Sequence, residues 1–212
     1  MVEGQNGRTG QRWKDLKIVA KAWEYLSQWT AAQSRSSGPS LQPSFPGDGA
    51  ILWVKPQLNE VKISADAAVF QDQGQSGIGL IARDHHGHLL LARTRSFPAV
   101  INPSLAEAMA VKEALSWAKE MRGRSVTVES DCLVVIQMIR SAAPMRSRVG
   151  QVIEECRKLV SDINNLKLQF VKRSANMSAH ELARGSHMYP DRIFDWISVP
   201  INVKKCIQND LI

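Results

Sequence analysis

Cysteine is scarce in this chain of 212 residues: Cys132, Cys156 and Cys206 are odd in number, far apart, and form no C-x-x-C pair. That pattern excludes a disulfide framework and a zinc knuckle, and a reducing intracellular compartment is expected, with nucleus and cytoplasm not distinguished. No apolar run approaches the length of a membrane span, and the polar start MVEGQNGRTGQRW has no secretory hydrophobic region, so no membrane span or export is expected. Acidic charge is in deficit, with 20 Asp and Glu against 27 Lys and Arg, for a net charge of +7. Such a balance favours a polyanionic partner, nucleic acid first and acidic membrane second, but says nothing about fold.

What is present divides the chain into regions. Leu16, Val19, Trp23 and Leu26 recur at three- and four-residue steps, the mark of an amphipathic helix, so residues 1–33 read as a helical appendage. It either docks on the rest or is the remnant of a longer parent, and the sequence leaves both open. SRSSGPSLQPSFPGDG is rich in Ser, Pro and Gly, and residues 34–52 read as a flexible linker. Residues 53–190 carry the periodic patterns of a domain, and 191–212 form a C-terminal tail.

Within the domain, EVKISADAAVF, SGIGLIARD and LLLARTRSF read as three short strands joined by tight turns. The cluster His85-His86-Gly87-His88 between the second and third is read as a hairpin tip rather than a metal site. INPSLAEAMAVKEALSWAKEMRG reads as a helix, started by Asn102 or alternatively by Ser104 with Glu107, and ended at Gly123. SVTVES then reads as a strand, DCLVVIQMIRS and VGQVIEECRKLVSDINN as helices, LKLQFVKR as a fifth strand and SAHELARGSHM as a last helix. The strand–helix–strand unit implies a right-handed parallel crossover and hence a mixed sheet covered by helices.

Acids inside or just after strands need a reason. Asp66 interrupts an apolar strand, where an unpartnered carboxylate is costly. Asp131 follows the VTV strand, Glu107 is expected in the first turn of its helix, and His180 in the first turn of the last one, within KRSANMSAHELAR. Each of the last three also has a local reading. Glu107 can close a capping box with Ser104, Asp131 can cap its helix, and Glu181 beside His180 can pair with Ser178. If the strands are neighbours, however, three carboxylates and one imidazole converge on one sheet edge. Clustered carboxylates repel unless a cation sits among them, and oxygen donors of this type suit Mg²⁺ or Mn²⁺, two of which about 4 Å apart clamp a phosphodiester. A zinc protease around His180-Glu181 is excluded, because Arg184 stands where a second histidine is required.

The stretches KISADAAVF, GIGLIARDHHGHLL, LAEAMAVKEALSWA, TVESDCLVVIQMI and FVKRSANMSAHELAR, in this order and spacing, resemble the ribonuclease H type 1 domain. The likeness is strongest to the reverse-transcriptase-like variety found in plant proteins derived from non-LTR retroelements. It spans about Val61 to Ser186. The resemblance implies an α/β, ribonuclease H-like fold: a mixed five-stranded sheet, three antiparallel strands then two parallel, flanked by helices. It implies two-metal hydrolysis of the RNA strand of RNA–DNA hybrids, with two Mg²⁺ or Mn²⁺ ions, no small-molecule cofactor, and a monomer. Asp66, Glu107, Asp131 and His180 fall on the catalytic, metal-binding positions, the last being histidine where the family has aspartate. Ala67 replaces a glycine after the first acid, a mild change if that backbone is not left-handed. Lys172, Arg173 and Asn176 fall near the site as nucleic-acid contacts, and Arg122, Arg124, Arg140, Arg146 and Arg148 are candidates for a basic face toward the DNA strand. A softer nitrogen ligand at His180 favours Mn²⁺ over Mg²⁺. The other reading is a domesticated nucleic-acid-binding domain of the same fold with weakened catalysis.

Overall fold

The computed structural model describes residues 46–121 and 123–212; the helical appendage, most of the linker and Arg122 lie outside the described residues. Strand β1, Glu60–Phe70, is the centre of the sheet, antiparallel to β2, Gln75–Arg83, and parallel to β4, Ser125–Ser130. β3, Leu89–Phe97, extends the antiparallel side and β5, Leu166–Phe170, the parallel side. Three antiparallel strands followed by two parallel ones are therefore present, but the sheet has six strands rather than five, in the order β5-β4-β1-β2-β3-β6. The addition, β6 at Ile193–Phe194, pairs with Ala92 and Arg93 on β3 and is too short to show an alternating pattern.

Helix α1, Pro103–Glu120, begins as its sequence directs: the Asn102 side chain accepts from the Ser104 N–H at 2.9 Å, and Pro103 takes the first turn. It covers the face formed by Ile78, Leu80 and their strand neighbours, and is tied to it where Glu113 accepts from Arg93 and Arg95 of β3. Helices α2, Leu133–Arg140, and α3, Arg148–Asp162, complete this side. Helix α4, Met177–Gly185, lies on the opposite face. Its approach is close because β2 carries glycine there: a Cβ on Gly79 would meet the Ala183 nitrogen at 2.2 Å. Helix α5, Ile201–Asn209, packs onto α4, so that Phe194, Val199, Val203 and Ile207 share one core with Ile81, Ala92, Ala179 and Leu182. No helix among the described residues is long and apolar enough to cross a membrane.

The β2–β3 turn behaves as a hairpin tip. Gly87 has φ +86°, and Asp84 Oδ1 accepts the N–H groups of both His86 and His88 at 2.9 Å.

The residues just before the domain are firmly held along the β5 edge. Ala50 bridges Val171 in parallel, Gly49 donates to the Phe170 carbonyl, and the Asp48 carboxylate takes both Arg140 and the Phe170 N–H. Beyond β5, Lys172 donates to the Ala50 carbonyl and the Ser174 hydroxyl to the Ile51 carbonyl. The three-residue 3₁₀ turn Arg173–Ala175 that leads into α4 is thus fixed from below.

Candidate metal centre

Asp66 and Asp131 are brought together by register. The parallel pairing sets Ala65 beside Ser130, so the next residue on each chain stands at the same edge of the sheet. Asp66 is fully buried, its residue paired with Gly79 of β2. Glu107 reaches the same point from α1. It lies one turn into the helix rather than in the first turn, because the helix begins at Pro103 under Asn102 and not at a Ser104–Glu107 box. Neither of the other local readings forms: Asp131 does not cap α2, Ser178 donates to Asp210, and Glu181 accepts from Asn202.

One carboxylate oxygen from each of Asp66, Glu107 and Asp131 lies within 4.8 Å of the others. Such crowding shifts protonation. Burial, reinforced by the Asp66 and Asp131 charges, pushes the Glu107 carboxyl up to about 9, and burial with the Asp66 charge pushes Asp131 up to about 6. Ala67 hydrogen-bonds the Glu107 carboxylate through its backbone, and it sits in ordinary extended conformation, since the only non-glycine residues with positive φ among those described are Asn59, Asn165 and Asp191. The alanine in place of glycine therefore strains nothing.

His180 comes to the cluster from the first turn of α4, with Nδ1 2.8 Å from Asp66 Oδ2. The same nitrogen lies 2.5 Å from Arg173 Nη1. Arg173 thus turns inward: Nη1 is 3.6 Å from Asp66 Oδ2, and Nε forms an ion pair with Asp131 Oδ2. Asn176 is buried. Its amide donates to the Ala65 carbonyl at 3.0 Å and to Asp131 Oδ1 at 3.2 Å, which orients that carboxylate. Lys172 is exposed, its ammonium 5.4 Å over the Phe170 ring. Of the other basic residues considered, Arg124, Arg146 and Arg148 are exposed, and Arg140 is engaged by Asp48 and the Leu168 carbonyl. The inward turn of Arg173 and the burial of Asn176 leave no mark in the sequence, where both look like ordinary polar residues between strand and helix.

The donor set fits a hard divalent cation. Asp66 Oδ1 and Glu107 Oε2 are buried without a hydrogen-bond partner, and three carboxylates share one point with an imidazole beside them. Buried anionic oxygens with free lone pairs are costly unless something positive meets them.

A family model described as "Reverse transcriptase-like" matches residues 64–186. Among curated proteins none matches the chain. Solved structures do. A ribonuclease H1 from the halophilic archaeon Halobacterium salinarum is 18% identical with a TM-score of 0.55, over 61% of this chain and 98% of that one. A ribonuclease H domain from Mycobacterium tuberculosis, solved as a fusion with maltose-binding protein, is 19% identical with a TM-score of 0.53, over 60% and 92%. LC11-RNase H1, solved with an RNA/DNA hybrid, is 18% identical with a TM-score of 0.50, over 57% and 92%. At these identities the likeness shows the fold, which is ribonuclease H-like.

Proposed function

This chain belongs to the reverse-transcriptase-like family, and from that premise we propose that it hydrolyses the RNA strand of RNA–DNA hybrids in a metal-dependent reaction. The observation that carries the reading is the meeting of the Asp66, Glu107 and Asp131 oxygens within 4.8 Å, two of their atoms buried and unpartnered. The relatives of the same fold are ribonucleases H, one of them solved with an RNA/DNA hybrid. In this reading Asp66, Glu107 and Asp131 hold Mg²⁺ or Mn²⁺ together with His180. Divalent ions bound there supply a Lewis acid and a more acidic water for phosphodiester hydrolysis. Asn176 keeps the Asp131 carboxylate turned into the site, and the Ala67 N–H does the same for Glu107. Lys172, exposed beside the site, offers a charge to the phosphate backbone.

The test is cleavage of a labelled RNA–DNA hybrid with Mg²⁺ or Mn²⁺ by the protein and by Asp66→Asn. Cleavage by the first alone supports the enzyme. A second reading is favoured by one observation: Arg173 already supplies a positive charge to the acid cluster. In that reading the domain binds hybrid without cutting it, and the same assay shows binding by both proteins and cleavage by neither.

A further inference from the structure

We propose that Arg173 is a built-in rival of the metal: its guanidinium and a divalent cation are alternative occupants of the acid cluster, and metal enters only when this side chain swings out. The inference rests on the metal-dependent reading above and goes beyond it by naming the group that controls loading.

The guanidinium touches three of the four groups expected to hold metal, namely Asp66, Asp131 and His180. Arginine keeps its charge at any physiological pH, so it cannot yield to a cation by losing a proton; it must move. Its hold is incomplete. Asp66 Oδ1 and Glu107 Oε2 remain buried and unpartnered with Arg173 in place, so one positive charge leaves much of the cluster unanswered. A divalent ion offers twice the charge in a smaller volume.

The contact with His180 is also frustrated. Arg173 Nη1 can only donate, and an ionised Asp66 Oδ2 can only accept, yet both approach the same Nδ1, at 2.5 and 2.8 Å. That nitrogen either accepts from the arginine or donates to the aspartate. Whichever it does, one of the two contacts is unfavourable, and departure of Arg173 relieves it. The route out is open, since the Arg173 side chain is 51% exposed. Its backbone need not follow: Lys172 and Ser174 on either side are bonded to Ala50 and Ile51. Motion is confined to one side chain on a fixed turn.

The decisive measurement is Mn²⁺ binding to the full chain, followed by electron paramagnetic resonance and calorimetry, without substrate. Arg173→Gln is expected to bind Mn²⁺ on the order of tenfold more tightly, because a neighbouring positive charge has been removed. Arg173→Lys, which keeps the charge, is expected to stay within about threefold of the unaltered protein. In the unaltered protein, Mg²⁺ addition is expected to abolish the protected Arg173 Nε–H resonance, a readout that needs no variant. Equal or weaker Mn²⁺ binding by Arg173→Gln, with Asp66→Asn still lowering affinity, overturns the rivalry and leaves the metal centre standing. An Nε–H signal that survives saturating Mg²⁺ does the same. If neither the unaltered protein nor Arg173→Gln binds Mn²⁺, the metal-dependent reading fails and this inference falls with it.

Discussion

Strand β1 buries charge at both ends, and the two ends handle it differently. Toward its start, buried charges are matched. Lys62 meets Glu129 at 2.8 Å, Glu60 accepts from Thr127 and Lys167, and on the neighbouring strand Arg83 meets Asp210 at 2.6 Å while stacking 3.4 Å from the Trp53 ring. Toward its end, Asp66, Glu107 and Asp131 crowd together with one half-exposed arginine and two buried oxygens that nothing answers. A matched buried pair holds a structure together but has nothing left to offer a ligand. An unmatched cluster costs stability and persists where something outside the chain is to be bound.

That contrast can be broken at either end. The largest effect is expected from Asp66→Asn. Hybrid cleavage should fall at least a thousandfold, about 4 kcal/mol in the barrier, while the urea midpoint is unchanged or raised because a repelling carboxylate has gone. Arg83→Ala should do the reverse, lowering unfolding free energy by about 3 kcal/mol by stranding Asp210 and emptying the space over Trp53. Cleavage per folded molecule should be retained. If both variants lose stability alike, the two ends are not distinct.

The third prediction concerns pH. Glu107 and Asp131 are raised above their ordinary values, so the folded protein holds protons that the unfolded chain releases, and metal-free stability falls as pH rises. The window runs from about 4.5, the ordinary glutamate value, to about 9, with the Asp131 contribution complete by about 6. Between pH 5 and pH 8 a loss of roughly 2 kcal/mol is expected, about half the full linkage for one proton, because Glu107 is only partly buried. Added Mg²⁺ or Mn²⁺ should raise the melting temperature more at pH 8 than at pH 5. A metal-free stability that rises with pH across this window contradicts the crowding. The smallest effect is expected at His180. Cleavage should be faster with Mn²⁺ than with Mg²⁺, and His180→Asp should shift the ratio several-fold toward Mg²⁺ by restoring an oxygen donor. An unchanged ratio removes His180 from the metal's surroundings.

Much of this was legible along the chain. Asp66 stood out because a carboxylate interrupting a small, apolar strand has no local explanation, and Asp131 because it follows a β-branched strand directly. Glu107 was visible as an acid near a helix start, although the capping role open to it is taken by Asn102 instead. The matched end was not legible. The burial of Lys62, Arg83 and Glu129 depends on Trp53, Val54 and the end of α5 folding over that face, which no local pattern announces. β6 was missed because two residues make no period.

The sequence by itself determined the order of strands and helices from β1 to α4 and the identity of the acids, because both are local. Patterns of period two and 3.6, a cap and a helix-ending glycine are read within a few residues. Only the tertiary structure decided which charges are answered. The one-residue register between β1 and β4 sets Asp66 beside Asp131, and the turn held by Ala50 and Ile51 sends Arg173 inward to meet them. Electrostatic partnership depends on distances of a few ångströms between residues far apart along the chain, and no local pattern encodes them.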